Sequence, residues 1–303
     1  MSKHILITGG TGLLGIKLTK LLLDRGYSVS HLSRKPTDVD ARVHTYLWDV
    51  NKGEIDEHAV DGVDVIIHLA GANLVDSRWT NNRKKEIIRS RTKSIELIYK
   101  LMRDKKSHTV NTVISASAVG YYGDRADELL TEDSAPGTDF LANVCLQWEH
   151  AADTGESLGL RIVKFRTGVV LDAHGGALAA LAKPVKFGFG TPLGGGKQWM
   201  SWIHEEDVID MYLYGIENET LSGDYNMVAP NPATNKQLTQ AVAKQLHRPL
   251  WLPKVPGFAL QLALGEMSSM VLASQKASAQ KIEDAGFKFK YPTLTWALKD
   301  LYK

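Results

Sequence analysis

Four glycines fall within the eight residues Thr8-Gly9-Gly10-Thr11-Gly12-Leu13-Leu14-Gly15, directly after the apolar run His4 to Thr8 and directly before a helical pattern. Gly10, Gly12 and Gly15 satisfy G-x-G-x-x-G, while Gly9, Gly12 and Gly15 satisfy G-x-x-G-x-x-G, so the register stays open. The chemistry is the same in both. Glycine permits a tight turn and lets the backbone approach a pyrophosphate, whose charge rests on free N–H groups at a helix N-terminus. The second apolar run ends in Ser33-Arg34-Lys35, about 20 residues beyond the motif, where an NAD site places Asp or Glu on the ribose hydroxyls. A carboxylate there would repel a 2′-phosphate, whereas the Arg34 guanidinium can grip one. The expected cofactor is therefore NADP(H). The competing reading makes Arg34 a solvent-facing loop charge.

These residues need a scaffold, and the first half of the chain supplies one. Short β-rich runs at His4 to Thr8, Tyr27 to Leu32, Val43 to Trp48, Asp64 to Leu69, Thr112 to Ser117 and Arg161 to Phe165 alternate with helical patterns at Leu13 to Arg25, Arg83 to Arg103 and Leu141 to Leu158. Alternation of this kind predicts an α/β fold with a Rossmann-type doubly wound parallel sheet. Trp48-Asp49 and His68-Leu69-Ala70-Gly71 then lie at carboxyl ends of strands, the edge where ligands bind. His68 reads as a packing histidine. After Arg166 the glycines from Gly175 to Gly196, with Pro184 and Pro192, read as loops crossing into a smaller C-terminal lobe. Residues 1–170, rejoined by 201–228, form the expected dinucleotide-binding domain, and 171–200 with 229–303 the lobe. Ser201 to Glu217 reads as helix and Asp224 to Val228 as strand.

Composition narrows the class. A chain of 303 residues with 44% apolar and 23% charged residues can bury a large core. Its formal net charge of +2 argues against nucleic acid or an acidic membrane as partner. The basic stretch Arg83 to Lys106 carries Ile87, Ile88, Ile95, Leu97 and Ile98, and reads as a helix with a solvated basic face. Cys145 is the single cysteine, which excludes an internal disulfide and fits a reducing cytoplasm. The N-terminus shows no export signal. Phe258 to Leu272 places Ala259, Leu262, Ala263, Met267, Met270 and Val271 on one helical face, an amphipathic helix rather than a membrane span. No His, Asp and Glu grouping has metal-ligand spacing.

The combination of TGGTGLLG, HLAG, SASAVGYYG and SWIHEEDV resembles the extended short-chain dehydrogenase/reductase superfamily. More narrowly, HLAGANL, KFRTGVVL, KQWMSWIHEEDV and AGFKFKYPTLTWAL are similar to its YfcH-like NAD-dependent epimerase/dehydratase branch. The resemblance implies that Gly9, Thr11, Gly12, Leu13, Leu14 and Arg34 hold the adenosine diphosphate half of the cofactor, with Gly15 closing the motif. It implies that Asp49, Leu69, Ala70 and Gly71 line the adenine and ribose path, and that Ser115 to Ser117 face the nicotinamide. The superfamily also carries Tyr-x-x-x-Lys on the following helix. Here the helix reads FLANVCLQWEHAA, and anchoring on Glu149 puts Leu141 at the Tyr position and Cys145 at the Lys position.

Replacement chemistry falls to Ser117, which could polarise a carbonyl, and to the phenols of Tyr121 and Tyr122. Lys197, Gln198, Trp199 and His204 stand where extended members hold a second substrate, and Arg166 could pair with an anionic group or with a structural carboxylate. The leading expectation is an NADP(H)-dependent oxidoreductase or epimerase acting on an unidentified, sugar-nucleotide-like substrate. The alternative is a non-catalytic NADP(H)-binding regulatory or sensor protein, favoured by the missing Tyr and Lys.

Overall fold

The computed structural model describes residues 2–105 and 107–303; Met1 and Lys106, at the ends of two stretches read above, lie outside the described residues. Its strands are β1 (His4–Thr8), β2 (Ser28–Ser33), β3 (His44–Asp49), β4 (Glu54–Ile55), β5 (Val65–His68), β6 (Thr112–Ala118), β7 (Leu129–Leu130), β8 (Arg161–Thr167), β9 (Val169–Leu171), β10 (Trp199–Met200), β11 (Trp202–His204), β12 (Gly223–Met227), β13 (Ala233–Thr234) and β14 (Lys276–Ala277). The helices are α1 (Leu13–Asp24), α2 (Asn81–Asp104), α3 (Phe140–Asp153), α4 (Gly176–Lys186), α5 (Glu205–Glu217), α6 (Asn235–Gln245), α7 (Gly257–Leu264), α8 (Ser269–Leu272), α9 (Gln280–Asp284) and α10 (Leu294–Leu301).

One large sheet runs in the order β4-β3-β2-β1-β5-β6-β8-β12. Seven of its strands are parallel, and the short β4 turns back antiparallel on β3 at the edge. Both faces are covered, which is why β1 and β5 read as continuous apolar runs rather than as alternating ones. Ile5 and Ile7 point to one face, where Leu18 and Leu22 of α1 and Val208 and Tyr212 of α5 pack. Leu6 points to the other, against Ile95 and Ile98 of α2 and Ala151 and Ala152 of α3. The strand order reverses between β1 and β5, so a crevice opens at their carboxyl ends. This is a Rossmann-type doubly wound α/β fold.

A third apolar cluster joins Leu178, Ala182 and Val185 of α4 to Leu238 and Val242 of α6 and to Ala297 and Leu298 of α10. Residues 276–289, between α8 and α10, leave that cluster. Lys276 and Ala277 pair with β7, and Ala277, Ala279, Ile282 and Phe287 join the core of the main sheet. Three local expectations change. The glycine-rich stretch after Arg166 contains a helix, α4, with Pro184 inside it. The segment read as helix from Ser201 begins with β11, paired with β9, and turns helical only at Glu205 because His204 stays extended to cap it. The apolar stretch from Phe258 is not one helix. Gly265, at φ +60°, interrupts it, no residue of α7 is buried, and Leu262 is 84% exposed. Met267 alone of that stripe joins the cluster of Trp79, Ile87 and Val144. Among the described residues no helix is long and apolar enough to cross a membrane.

Candidate functional site

The turn between β1 and α1 settles the glycine register. Gly9 has φ +73°, and a Cβ on it would sit 3.0 Å from the carbonyl carbon of Leu69. Gly12 donates its N–H to Gly9 O at 3.0 Å and caps α1, and a Cβ on Gly15 would lie 2.3 Å from Gly9 O. These three make G-x-x-G-x-x-G the operating pattern. Gly10 is required for a different reason, since its Cβ would fall 2.5 Å from the His31 ring. His31 is buried against Thr19 Oγ1 at 2.8 Å, and burial holds its pKa down at about 4. The N-terminus of α1 carries no side-chain cap and no acidic residue in its first turn. Its leading N–H groups therefore have no side-chain acceptor among the described residues.

A cavity of about 600 Å³ opens on this turn. Of the residues named from the sequence, Gly9, Thr11, Gly12, Ser33, Arg34, Asp49, Leu69, Ala70 and Gly71 line it; Leu13, Leu14, Gly15, Lys35, Ser115 and Arg166 do not. The sequence reading missed the far wall, where Asn82, Lys85, Glu86, Arg89 and Ser90 of α2 face the cavity. Their spacing of three and four residues marks one helical stripe, which had passed for a solvated basic face.

Beyond the cavity lies a buried polar cluster. Ser117 Oγ donates to Glu149 Oε1 at 2.6 Å, and Arg166 grips the same carboxylate through Nε and Nη2 at 2.9 Å each. Arg166 also reaches Asp224 Oδ2 at 2.9 Å, so it pairs with structural carboxylates rather than facing the cavity, and they hold it firmly charged. Tyr122 donates to Asn226 Oδ1 at 2.7 Å in the core, and burial pushes its phenol up to about 12. Tyr121 differs. Its ring lies 3.6 Å from the Arg166 guanidinium, it is half-buried, and its hydroxyl has no hydrogen-bond partner among the described residues. Burial raises its pKa while Arg166 pulls the other way. Leu141 and Cys145 back onto Gly120, just past β6, within 3.5 and 3.8 Å of where a Cβ would stand. Cys145 is free and buried, with its thiol pushed up to about 12 by burial, so it is a small apolar filler. His68 is likewise a packing group, tied to Ser94 Oγ at 2.7 Å and held down at about 3 by burial. Ser115 Oγ turns to its neighbour's carbonyl, Ala116 O, at 3.1 Å.

A family model described as NAD dependent epimerase/dehydratase family matches residues 5–227. The epimerase family protein YfhF of Bacillus subtilis is 40% identical over 299 residues, covering 98% of this chain and 97% of the relative. The chain belongs to the NAD dependent epimerase/dehydratase family. Among solved structures, the human epimerase family protein SDR39U1 with NADPH superposes at TM-score 0.87 with 30% identity over 99% of both chains. A nucleoside-diphosphate sugar epimerase from Corynebacterium glutamicum superposes at 0.80 with 34% identity, covering all of this chain and 59% of that one.

In this epimerase/dehydratase family member a second match, to a domain of unknown function (DUF1731), covers residues 255–301, the run from α7 to α10. Three of the four residues named for a substrate hold that region in place. Gln198 donates its side-chain amide to Leu193 O at 3.0 Å and Val271 O at 2.9 Å. Trp199 donates through Nε1 to Asp127 Oδ1 at 2.7 Å and lies under Lys276 Nζ. His204 is wholly buried, stacked on Tyr291 at 3.8 Å, and its Nδ1 accepts from the N–H of Glu206 at 3.1 Å. Lys197 remains exposed. Among the described residues no group of three or more His, Cys, Asp and Glu side chains could hold a metal ion.

Proposed function

We propose that this chain is an NADP(H)-dependent oxidoreductase or epimerase of the cytoplasm, acting on a small carbonyl substrate of the sugar-nucleotide class. The observation that carries the reading is the cavity itself: an uncapped helix N-terminus on one side, and at the end of β2 an arginine where an NAD site keeps a carboxylate. The structure of the human epimerase family protein SDR39U1 with NADPH supports it. The bound cofactor would supply hydride transfer. The chain's own part is to seat the diphosphate on the free backbone N–H groups that follow Gly12 at the start of α1, to hold the 2′-phosphate with Arg34, and to exclude water behind Leu141 and Cys145. Tyr121 is the phenol left free to exchange a proton with a substrate oxygen, and Lys197 is the exposed cation left to meet a substrate phosphate.

A second reading has its own observation. Ser117 already has its proton bonded to Glu149, and the Tyr and Lys positions hold Leu141 and Cys145, which favours a protein that binds NADP(H) without turning substrate over. Titration of NADPH and NADH by fluorescence tests the shared core of both readings. NADPH should bind more tightly by about tenfold to a hundredfold, the equivalent of one or two charge-assisted hydrogen bonds. Arg34→Ala should erase that margin. Equal affinities in the unaltered protein would remove the NADP(H) assignment.

A further inference from the structure

The stripe that buries α2 against the sheet and α3 runs Ile87, Arg91, Ile95, Ile98, and the arginine in it has no counter-ion. Arg91 is 9% exposed, and Nη1 donates to Ile87 O at 3.0 Å within its own helix. Its guanidinium lies over the Trp148 ring at 5.0 Å. Among the described residues no carboxylate comes within ion-pairing distance of it, whereas the other fully buried arginine, Arg166, holds both Glu149 and Asp224. Burying a guanidinium without a counter-ion costs several kcal/mol, which the Ile87 carbonyl and the Trp148 ring offset only in part and a bound anion would offset further. Burial accordingly holds its pKa down at about 10.

The open edge of Arg91 faces Gly71. Nε and Nη2 make no protein hydrogen bond among the described residues, yet they are not among the atoms sealed from solvent. Both look onto Gly71: a Cβ there would lie 3.0 Å from Cζ, 3.2 Å from Nη2 and 3.3 Å from Nε. Gly71 lines the cavity at the carboxyl end of β5, across the switch point from Gly9 and Gly12. The glycine turn offers dipoles but no full positive charge, and the lysine of the superfamily pattern is absent at Cys145. A planar fork with two parallel donors matches a phosphate.

Building on the NADP(H) reading above, we infer that Arg91 is a cofactor-binding residue whose Nε and Nη2 grip the diphosphate of the dinucleotide through the gap left by Gly71. The diphosphate is common to NADPH and NADH, which separates this role from that of Arg34. Arg91→Met should weaken both dinucleotides by the same factor, about tenfold to a hundredfold, while Arg34→Ala weakens NADPH alone. Adenosine 2′-monophosphate, which lacks both phosphates of the diphosphate, should bind the Arg91→Met variant as well as the unaltered protein. The melting temperature of the ligand-free variant should not fall, because the substitution removes an unpaired buried charge. Should Arg91→Met fail to fold, Arg91→Lys keeps the charge without the fork and should show a smaller loss shared equally by the two dinucleotides. Dinucleotide affinities within twofold of the unaltered protein in the folded variant would overturn the inference. So would a loss confined to NADPH, or an equal loss for adenosine 2′-monophosphate. If the unaltered protein binds no dinucleotide at all, the NADP(H) reading itself fails.

Discussion

Ser117 Oγ stands 2.6 Å from Glu149 Oε1 and donates its one proton there, while Arg166 holds both oxygens of the same carboxylate. The hydroxyl at the carboxyl end of β6 thus belongs to a buried ion pair before any ligand arrives, and it can polarise a carbonyl only if that bond breaks. Arg166 is 2% exposed. Glu149→Ala would leave it with Asp224 as its one carboxylate partner and should cost about 3 kcal/mol or more in chemical denaturation. Ser117→Ala removes one hydrogen bond and should cost about 1 kcal/mol. The reverse ranking would show that Glu149 does not anchor Arg166.

Gly10 and His31 make a second pair that can be tested. A methyl at Gly10 would overlap the imidazole at 2.5 Å, and the ring is fixed by Thr19 and by its own burial. Gly10→Ala should therefore destabilise the protein by about 1 to 3 kcal/mol, in the range of core overpacking, and weaken NADPH binding. Gly10→Ala combined with His31→Ala should recover most of that stability. Additive losses in the double variant would mean that the clash is not the cause.

Stability should also depend on pH through Glu205. Burial pushes this carboxyl up to about 7, assisted by a hydrogen bond to Asp172, which is held down at about 2; Lys17 sits between them. Because the folded pKa of Glu205 lies above the unfolded value of 4.5, the folded state holds a proton that the unfolded state releases. That contribution is fully present below pH 4.5 and is lost as pH rises through about 7. Asp172 acts in the opposite sense, but only below its unfolded value of 3.8. Thermal melts from about pH 5 to 8 should show a decline of roughly 1 to 3 kcal/mol that Glu205→Gln flattens. A Glu205→Gln protein with the same slope would assign the decline elsewhere.

The parts of this architecture that were legible in the sequence share a cause. β1, β5 and β6 are buried on both faces, so their apolar runs announce them, and the glycine turn is spelled out because backbone must pass within about 3 Å of backbone at Gly9 and Gly15. What escaped depended on where side chains point. Nothing in SWIHEEDV separates an extended His204 that caps a helix from a helical one that meets substrate. Arg91 sits among seven other basic residues of α2 and looks like one more solvated charge. Its four-residue spacing from Ile87 and Ile95 was the available signal. α7 misled for the opposite reason, since its apolar residues suggested a packed face that the fold leaves open.

That open face gives a direct comparison. Leu262→Glu, at a position 84% exposed, should change stability by less than about 0.5 kcal/mol. Met267→Ala removes the contact with Trp79, Ile87 and Val144 and should cost about 1 to 2 kcal/mol. A large loss from Leu262→Glu alone would show that α7 is covered in solution.

The chemistry can be decided at Tyr121. A general acid or base within reach contributes about 10²- to 10⁴-fold, and on the alignment that sets Leu141 at the tyrosine position, epimerisation of standard UDP-sugars should be slow or absent. Tyr122 cannot substitute easily, because its hydroxyl is held by Asn226 and raised to about 12. Ser117 has its proton on Glu149. Tyr121 has a hydroxyl with no hydrogen-bond partner among the described residues and a guanidinium 3.6 Å from its ring, whose charge works against the burial that raises its pKa. A screen of carbonyl compounds and UDP-sugars for NADPH oxidation should find turnover that falls by about 10²-fold or more in Tyr121→Phe, with NADPH affinity unchanged. Tyr122→Phe should instead lower stability with a smaller effect on rate. Turnover that survives Tyr121→Phe undiminished would take the proton-exchanging role away from this residue. Tight NADPH binding with no turnover of any compound would favour the binding protein over the enzyme, because Leu141, Cys145 and the bonded Ser117 would then have no replacement.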